Sequence, residues 1–236
     1  MKPTVIVPTY NEHENIVLLV PELLALPVGL NVLVVDDNSP DSTGLIVEEM
    51  AAREPRLSVI HRPGKLGLGT AYIAGFKKAL ATGAERILTM DADYSHHPRY
   101  IPAMIERSQT ADLVIGSRYV HGGGAMGRSL PLRLVSYGGN AFAKIVLGLR
   151  ATDCTAGFRC YRRDVLKAID LDSIISNGYS FLIEMLYLVQ RRGWTVAEVP
   201  ICYMDRQLGA SKISRTEVTR ALYTVVRLGA SRVLRR

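Results

Sequence analysis

The sequence predicts an α/β fold: a mostly parallel central sheet, helices on both faces and no transmembrane helix. Two observations carry the sheet prediction. Short, almost wholly apolar runs alternate with helix-length segments through the first 118 residues, which is the pattern of βαβ units. Each apolar run ends in acids, amides or bases, which gathers polar groups at the carboxyl ends of the strands, where open α/β sheets bind ligands. A length of 236 residues with 48% hydrophobic and 22% charged residues suits one well-buried domain and excludes general disorder.

The elements follow in order. Strands are expected at TVIVP (4–8), NVLVVDD (31–37), LSVIHR (57–62), RILTMDAD (86–93) and DLVIGSR (112–118), with helices at 14–26, 42–53, 68–82 and 98–108. Strands this uniformly apolar belong in the middle of a sheet covered on both faces. Beyond residue 118 come a glycine-rich loop at Gly122–Gly124, helices near 131–148 and 178–192, and two short strands around 195–205. We read residues 1–213 as one catalytic domain, with a nucleotide-binding half (1–118) and an acceptor-binding half (119–213). Residues 214–236 form a basic amphipathic helix, with Val218, Leu222, Val225, Val226, Gly229 and Val233 on one face and Arg220 and Arg227 roughly opposite. Such a helix can lie on anionic lipid, dock on the domain itself or meet a partner protein's membrane segment.

Net charge is +7, and residues 207–236 concentrate it, with seven basic residues against one acid, Glu217. That placement points to a local anionic partner such as a lipid surface. An aromatic content of 7% offers no stacking platform, so nucleic acid is not expected as a partner. Cys154, Cys160 and Cys202 fit neither a disulfide framework nor a zinc site. No window reaches the ~18 uncharged apolar residues of a bilayer-spanning helix, and the amino terminus lacks the pattern of a cleaved signal peptide. The expected location is the cytoplasm.

Asp91 and Asp93 flank Ala92 at the end of a strand, where alternation can turn both carboxylates to one side. Two carboxylates completed by water and phosphate suit magnesium; taken alone, they read equally as solvated aspartates before a helix capped at Ser95. His96 and His97 lack a third ligand and read as loop structure or substrate contacts. Asp36 or Asp37 can accept hydrogen bonds from a base or ribose, while Asp41 or Ser42 reads as a helix cap. Pro8, Tyr10 and Glu12 could wall a base pocket, and Lys65, in the turn RPGKLGLGTA (62–71), could approach a phosphate. Arg118, Arg133, Arg206 and Lys212 sit beside glycine-rich or polar turns and, near a metal, would suit anionic substrates.

VPTYNE (7–12), VVDDNSPDST (34–43), DADYSHHP (91–98), GSRYVHGGG (116–124), TAGFRCYRRDVL (155–166), EVPI (198–201) and DRQLGASK (205–212) together resemble the dolichyl- or polyprenyl-phosphate mannose synthases of glycosyltransferase family 2. The resemblance covers nearly the whole chain. It implies the A-type nucleotide-sugar transferase fold and transfer of mannose from GDP-mannose to a dolichyl- or polyprenyl-type monophosphate, with inversion and with Mg2+ or Mn2+. Carried over by position, Pro8, Tyr10, Glu12, Asp37 and Asp36 line the nucleotide pocket with Lys65 and the Asp91-Ala92-Asp93 turn. Asp91 and Asp93 hold the metal, and Arg118, Arg133, Arg206 and Lys212 meet phosphates; Asp91, Asp93 and Arg118 carry the chemistry. Ser42 departs from the glycine of many relatives, and the trailing transmembrane helices of some members are absent. QRRGW (190–194) falls short of the QxxRW pattern of processive synthases. The expected setting is peripheral, on the cytoplasmic face of a membrane or against a small membrane-embedded partner protein.

The acceptor chemistry has its own consequence. A phosphate monoester with a second pKa of about 6 is already largely anionic at neutral pH, so its attack needs no general base. A hydroxyl acceptor would need one, and Asp153 and Glu184 are the candidates. The other rivals are a sister enzyme using UDP-glucose or another nucleotide sugar, and a non-catalytic nucleotide-sensing or nucleic-acid-binding module.

Overall fold

The computed structural model describes residues 2–127, 130–204 and 215–233; side chains are described outside 130–133, 215–218 and 231–233. The first five strands are β1 (Pro3–Thr9), β2 (Asn31–Asp36), β3 (Leu57–His61), β4 (Arg86–Thr89) and β5 (Leu113–Ser117). Between them lie α1 (His13–Leu24), α2 (Thr43–Ala51), α3 (Leu68–Ala81) and α4 (Ile101–Arg107), the last preceded by a 3-10 turn at Pro98–Tyr100. All fall where the sequence places them, within a few residues.

The second half adds β6 (Gly124–Met126), α5 (Leu130–Leu147), β7 (Arg159–Arg162), α6 (Arg163–Ala168), α7 (Tyr179–Arg191), β8 (Val196–Pro200), β9 (Cys202–Met204) and α8 (Arg215–Val233). Seven strands form one sheet in the order β3-β2-β1-β4-β7-β5-β8, and β6 and β9 form a separate parallel pair. Only β7 runs antiparallel within the large sheet, against β4 and β5. β7 and α6 are absent from the sequence reading. A four-residue strand bearing Arg159 and Arg162 shows no apolar alternation. It forms because the fully buried Arg159 finds acceptors: Nε donates to Ala156 O (2.8 Å), Nη2 to Cys154 O (2.9 Å) and Nη1 to Leu182 O (2.8 Å).

Strand alternation splits the core into two layers. Ile6, Leu33 and Val35 face α3 and α7, packing with Tyr72, Phe76 and Phe181, while Val5, Val7, Val32 and Val34 face α1 through Ile16, Leu19 and Leu23. Close approach of α3 to β1 requires Gly75, where a Cβ would come 2.5 Å from Ile6 Cγ2. β4 pairs with β1 only as far as Ile6, whereas β2 follows β1 to Thr9. Pro8, with no N–H to donate, therefore sits where β1 has one neighbour.

α8 packs against α5 and α7, burying Val225 and Leu228. Arg227 Nη2 donates to Glu184 Oε1 of α7 at 2.8 Å, and Thr224 Oγ1 lies 3.2 Å from Ser176 Oγ. The single apolar face expected of this helix is divided: Val225 turns inward, Leu222 and Val226 remain exposed, and Arg227 is a docking group. Among the described residues, no helix is long and apolar enough to cross a membrane.

Candidate active site

The sheet order reverses between β1 and β4, since β2 leaves β1 on one side and β4 adds on the other. Such a reversal opens a crevice at the carboxyl ends of the strands. The turns after β1, β2, β3 and β4 meet there, bringing Tyr10-Asn11-Glu12, Asp36-Asp37, Lys65 and Asp91-Ala92-Asp93 to one edge.

On the β1–β3 side, the two adjacent aspartates divide their work. Asp36 is saturated: Oδ1 accepts from Thr9 Oγ1 (2.9 Å) and Ser39 Oγ (2.6 Å), and Oδ2 from Ser39 N (3.0 Å). It braces the turn. Asp37 instead faces Arg62, with Oδ1 and Nη1 3.2 Å apart, both side chains buried and neither atom in a hydrogen bond among the described residues. Burial raises the Asp37 carboxyl above its usual value, opposed by the Arg62 charge and by the amides of Leu66 and Gly67. A buried acceptor and donor side by side can engage the edge of a base. Lys65 Nζ lies 4.3 Å from the Tyr10 ring centroid, a cation–π contact joining the first and third turns. Glu12 is buried and accepts from Asn15 Nδ2 at 2.8 Å.

The loop bearing Lys65 is clamped from the second half of the chain. Asn177 Oδ1 accepts from Gly69 N (2.9 Å), and Asn177 Nδ2 donates to Leu66 O (3.2 Å). Gly67, at φ +99°, presses its backbone against that amide and leaves no room for a Cβ.

Asp91 and Asp93 lie beyond β4, which ends at Thr89, so strand alternation does not set their direction. A turn does. Tyr94 adopts φ 58°, a strained value for a bulky side chain, with its hydroxyl facing Glu22 of α1; burial and that carboxylate push the phenol up to about 12. Asp93 is buried, and its Oδ1 accepts from Ser95 N at 3.0 Å. Asp91 is the more open of the two; Tyr72 of α3 donates to its Oδ1 at 3.4 Å. Burial and the Asp91 charge hold the Tyr72 phenol protonated, well above its usual value. The His96 ring lies behind both carboxylates, stacked on Phe158 at 5.2 Å. Burial pushes it below its ordinary value despite the pull of Asp91 and Asp93. His97, not Ser95, caps the following turn, with Nδ1 accepting from Arg99 N at 3.2 Å. After β2, Asp41 rather than Ser42 supplies the cap, its Oδ1 accepting from Thr43 N at 3.0 Å.

No group of three His, Cys, Asp or Glu side chains with metal-binding geometry occurs among the described residues. Two carboxylates with no third such ligand in position do not make a zinc site. They fit a hard divalent cation that takes its remaining oxygens from water and a diphosphate.

The floor toward β5 is a buried ion pair. Arg118 Nε and Nη2 each donate to Asp153 at 2.7 Å, and the Arg118 amide adds a third bond at 3.1 Å; the side chains are 8% and 0% exposed. Burial opposes the Asp153 charge, but the Arg118 hydrogen bonds and charge outweigh it and hold the carboxyl below its usual range. Arg118 also lies over the rings of Tyr119 and Tyr203, at 5.1 and 5.6 Å. The Asp153 loop is fixed from every side. Glu198 of β8 accepts from Thr152 N (2.8 Å) and Asp153 N (3.0 Å), and Asn140 of α5 accepts from Cys154 N (2.6 Å). Arg118 is thus committed to Asp153 rather than open toward a phosphate. Glu184, the other candidate base, is held by Arg227 and Ser176 N.

Of the sequence-predicted site, Pro8, Tyr10, Glu12, Asp37, Lys65, Asp91, Ala92 and Asp93 border the crevice. Arg133 lies on α5 with its side chain outside the described residues, as are Arg206 and Lys212 entirely. The sequence reading missed Arg62, Tyr72, Asn140, Asn177 and Glu198. Each acts through a contact distant in sequence; the only hints were the quoted segments RPGKLGLGTA, which begins with Arg62, and EVPI, which begins with Glu198.

Residues 4–170 match the model of the family described as Glycosyl transferase family 2. An undecaprenyl-phosphate mannosyltransferase of Micrococcus luteus is 45% identical over 97% of this chain and 94% of its own length. A polyprenol monophosphomannose synthase of Mycolicibacterium smegmatis is 42% identical over 95% of this chain and 86% of its own. Glucosyl-3-phosphoglycerate synthase from Mycobacterium tuberculosis, solved with Mn2+, UDP and glucosyl-3-phosphoglycerate, superposes with a TM-score of 0.68 over 97% of this chain and 80% of that one. At 18% identity that likeness concerns the fold.

Proposed function

The chain belongs to glycosyl transferase family 2 and is a glycosyltransferase, and we propose that it moves mannose from GDP-mannose to a polyprenyl monophosphate of the dolichyl type, giving polyprenyl-phosphate mannose and GDP. The identity of 42–45% to two enzymes named for that lipid mannosylation carries the reading. The site's chemistry supports it. Asp37, Arg62, Tyr10 and Lys65 take the nucleoside and its neighbouring phosphate. Asp91 and Asp93 hold Mg2+ or Mn2+, which when bound supplies Lewis-acid charge at the leaving diphosphate.

The remaining work falls to alignment. An acceptor oxygen that is already anionic attacks without a base, in keeping with Asp153 and Glu184 both being locked to arginines. Arg118, fixed by Asp153 and lying over the rings of Tyr119 and Tyr203, gives the acceptor side a rigid floor that aligns the substrates, its own charge being taken up by Asp153. Arg133, Arg206 and Lys212 are the further cations we assign to phosphates. Single displacement from the side opposite the leaving group inverts the anomeric carbon. Residues 1–118 supply the donor side and 119–213 the acceptor side, and the enzyme works peripherally at the cytoplasmic face of a membrane.

The test is incubation with radiolabelled GDP-mannose and a polyprenyl phosphate, then organic extraction with and without chelator. Label is expected in the organic phase only when the ion is present, and unlabelled GDP is expected to compete where UDP does not. Absence of lipid-soluble label under all conditions refutes the reading.

A further inference from the structure

Eight of the thirteen large apolar side chains exposed among the described residues lie on α5 and α8. Leu134, Tyr137 and Ile145 point outward from α5, and Leu222, Tyr223 and Val226 from α8; Ile145 is 78% and Tyr223 69% exposed. The helices are in contact, so close that a Cβ on Gly229 would lie 2.8 Å from Val146 Cγ1. Their outward residues therefore form a joint apolar face. Scattered exposed leucines need no explanation, but a cluster of this kind marks an interaction surface.

Charge and connectivity identify its occupant. α5 contains Arg133 and Lys144 and no acid; α8 contains Arg215, Arg220 and Arg232 against Glu217 alone, its remaining arginine, Arg227, being paired with Glu184 of α7. A cationic apolar face pairs poorly with a second copy of itself and well with anionic headgroups over hydrocarbon. Tyr137 and Tyr223 have the amphipathic rings favoured at such an interface. The inner side of α5 builds the site: Asn140 holds the Cys154 amide, and Ser136 Oγ lies 2.9 Å from Tyr119 Oη beside Arg118.

We propose that the outward α5–α8 face seats the protein on an anionic bilayer surface, with the acceptor side of the site turned toward the lipid. Orientation toward an acceptor rests on the lipid-phosphate reading above; attachment rests on the face itself.

The test is cosedimentation of the full chain with vesicles of phosphatidylcholine alone and of phosphatidylcholine mixed with phosphatidylglycerol. The full chain is expected to pellet preferentially with the mixed vesicles. The double variant Ile145→Gln/Val226→Gln is expected to lose roughly tenfold or more in partition, the scale of two buried aliphatic side chains. Tyr223→Ser should shift it in the same direction. All three changes are on the surface and should leave turnover of a short, water-soluble prenyl phosphate unchanged. Equal pelleting of the variants and the unaltered chain overturns the proposal, as does a chain that ignores both vesicles and doubles in mass in solution. Expected vesicle binding without turnover of the short acceptor upholds the surface and refutes the acceptor.

Discussion

Asp91 and Asp93 occupy different surroundings, and the difference gives them separate work. Asp93 is buried and shaped by the Ser95 amide, whereas Asp91 is more open and is positioned by the Tyr72 hydroxyl. Asp91→Asn or Asp93→Asn removes charge while keeping shape, and either is expected to lower transfer roughly 10²–10³-fold, checked by steady-state kinetics across a manganese titration. Tyr72→Phe should cost less, since it loosens one oxygen of Asp91. Arg118 and Asp153 call for a different measurement. Asp153→Ala strands a buried guanidinium and is expected to cost about 3–5 kcal/mol in urea unfolding, whereas Arg118→Met/Asp153→Leu should recover much of that stability but not activity. Those roles could not be read from sequence. DAD and GSR mark acids and a base, but whether Arg118 faces solvent, phosphate or Asp153 depends on a loop 35 residues away.

At the scale of elements, β1 to β5 were legible because runs such as NVLVVDD are apolar on both faces and end in polar turns. β7 was not, because its buried arginine is satisfied by carbonyls from the loop before it and from α7. The β3–α3 loop shows how a tertiary clamp completes a local turn. Gly67→Ala would place a Cβ against Asn177 at a φ that side chains rarely adopt. It is expected to raise the donor KM with little change in kcat, provided the fold is intact by circular dichroism. The edge joining β5, β7 and β8 should be acid-sensitive. Burial opposes the charge of Asp112, but bonds from Thr195 N (2.8 Å) and Thr195 Oγ1 (2.7 Å) and the Arg162 guanidinium prevail and hold its carboxyl below the usual value. A depressed carboxyl contributes stability above its unfolded pKa of about 3.9 and loses it as pH falls through the lower folded value. The Tm difference between the unaltered chain and Asp112→Asn should therefore be full near neutrality and shrink below about pH 4.

Across the whole molecule, the seven-stranded sheet, mixed but mostly parallel, presents one edge of turns, and the second half of the chain reaches that edge through Asn177 and Asp153. The sequence showed which residues carry charge at strand ends; it could not show that α8 returns to α7 through Arg227 and Glu184. Removing residues 215–233 would expose the surfaces of α5 and α7 that Val225 and Leu228 cover. The shortened chain is expected to melt at a lower temperature and to bind a hydrophobic dye, measured by calorimetry and fluorescence. The proposed transfer depends on the turn after β4 holding a nucleotide's diphosphate through a divalent ion. The direct measurement is calorimetric titration of GDP into the full chain with manganese, repeated with chelator and with Asp93→Asn. On the proposed mechanism, binding requires the ion and is lost in the variant. GDP binding of equal strength under all three conditions would contradict it.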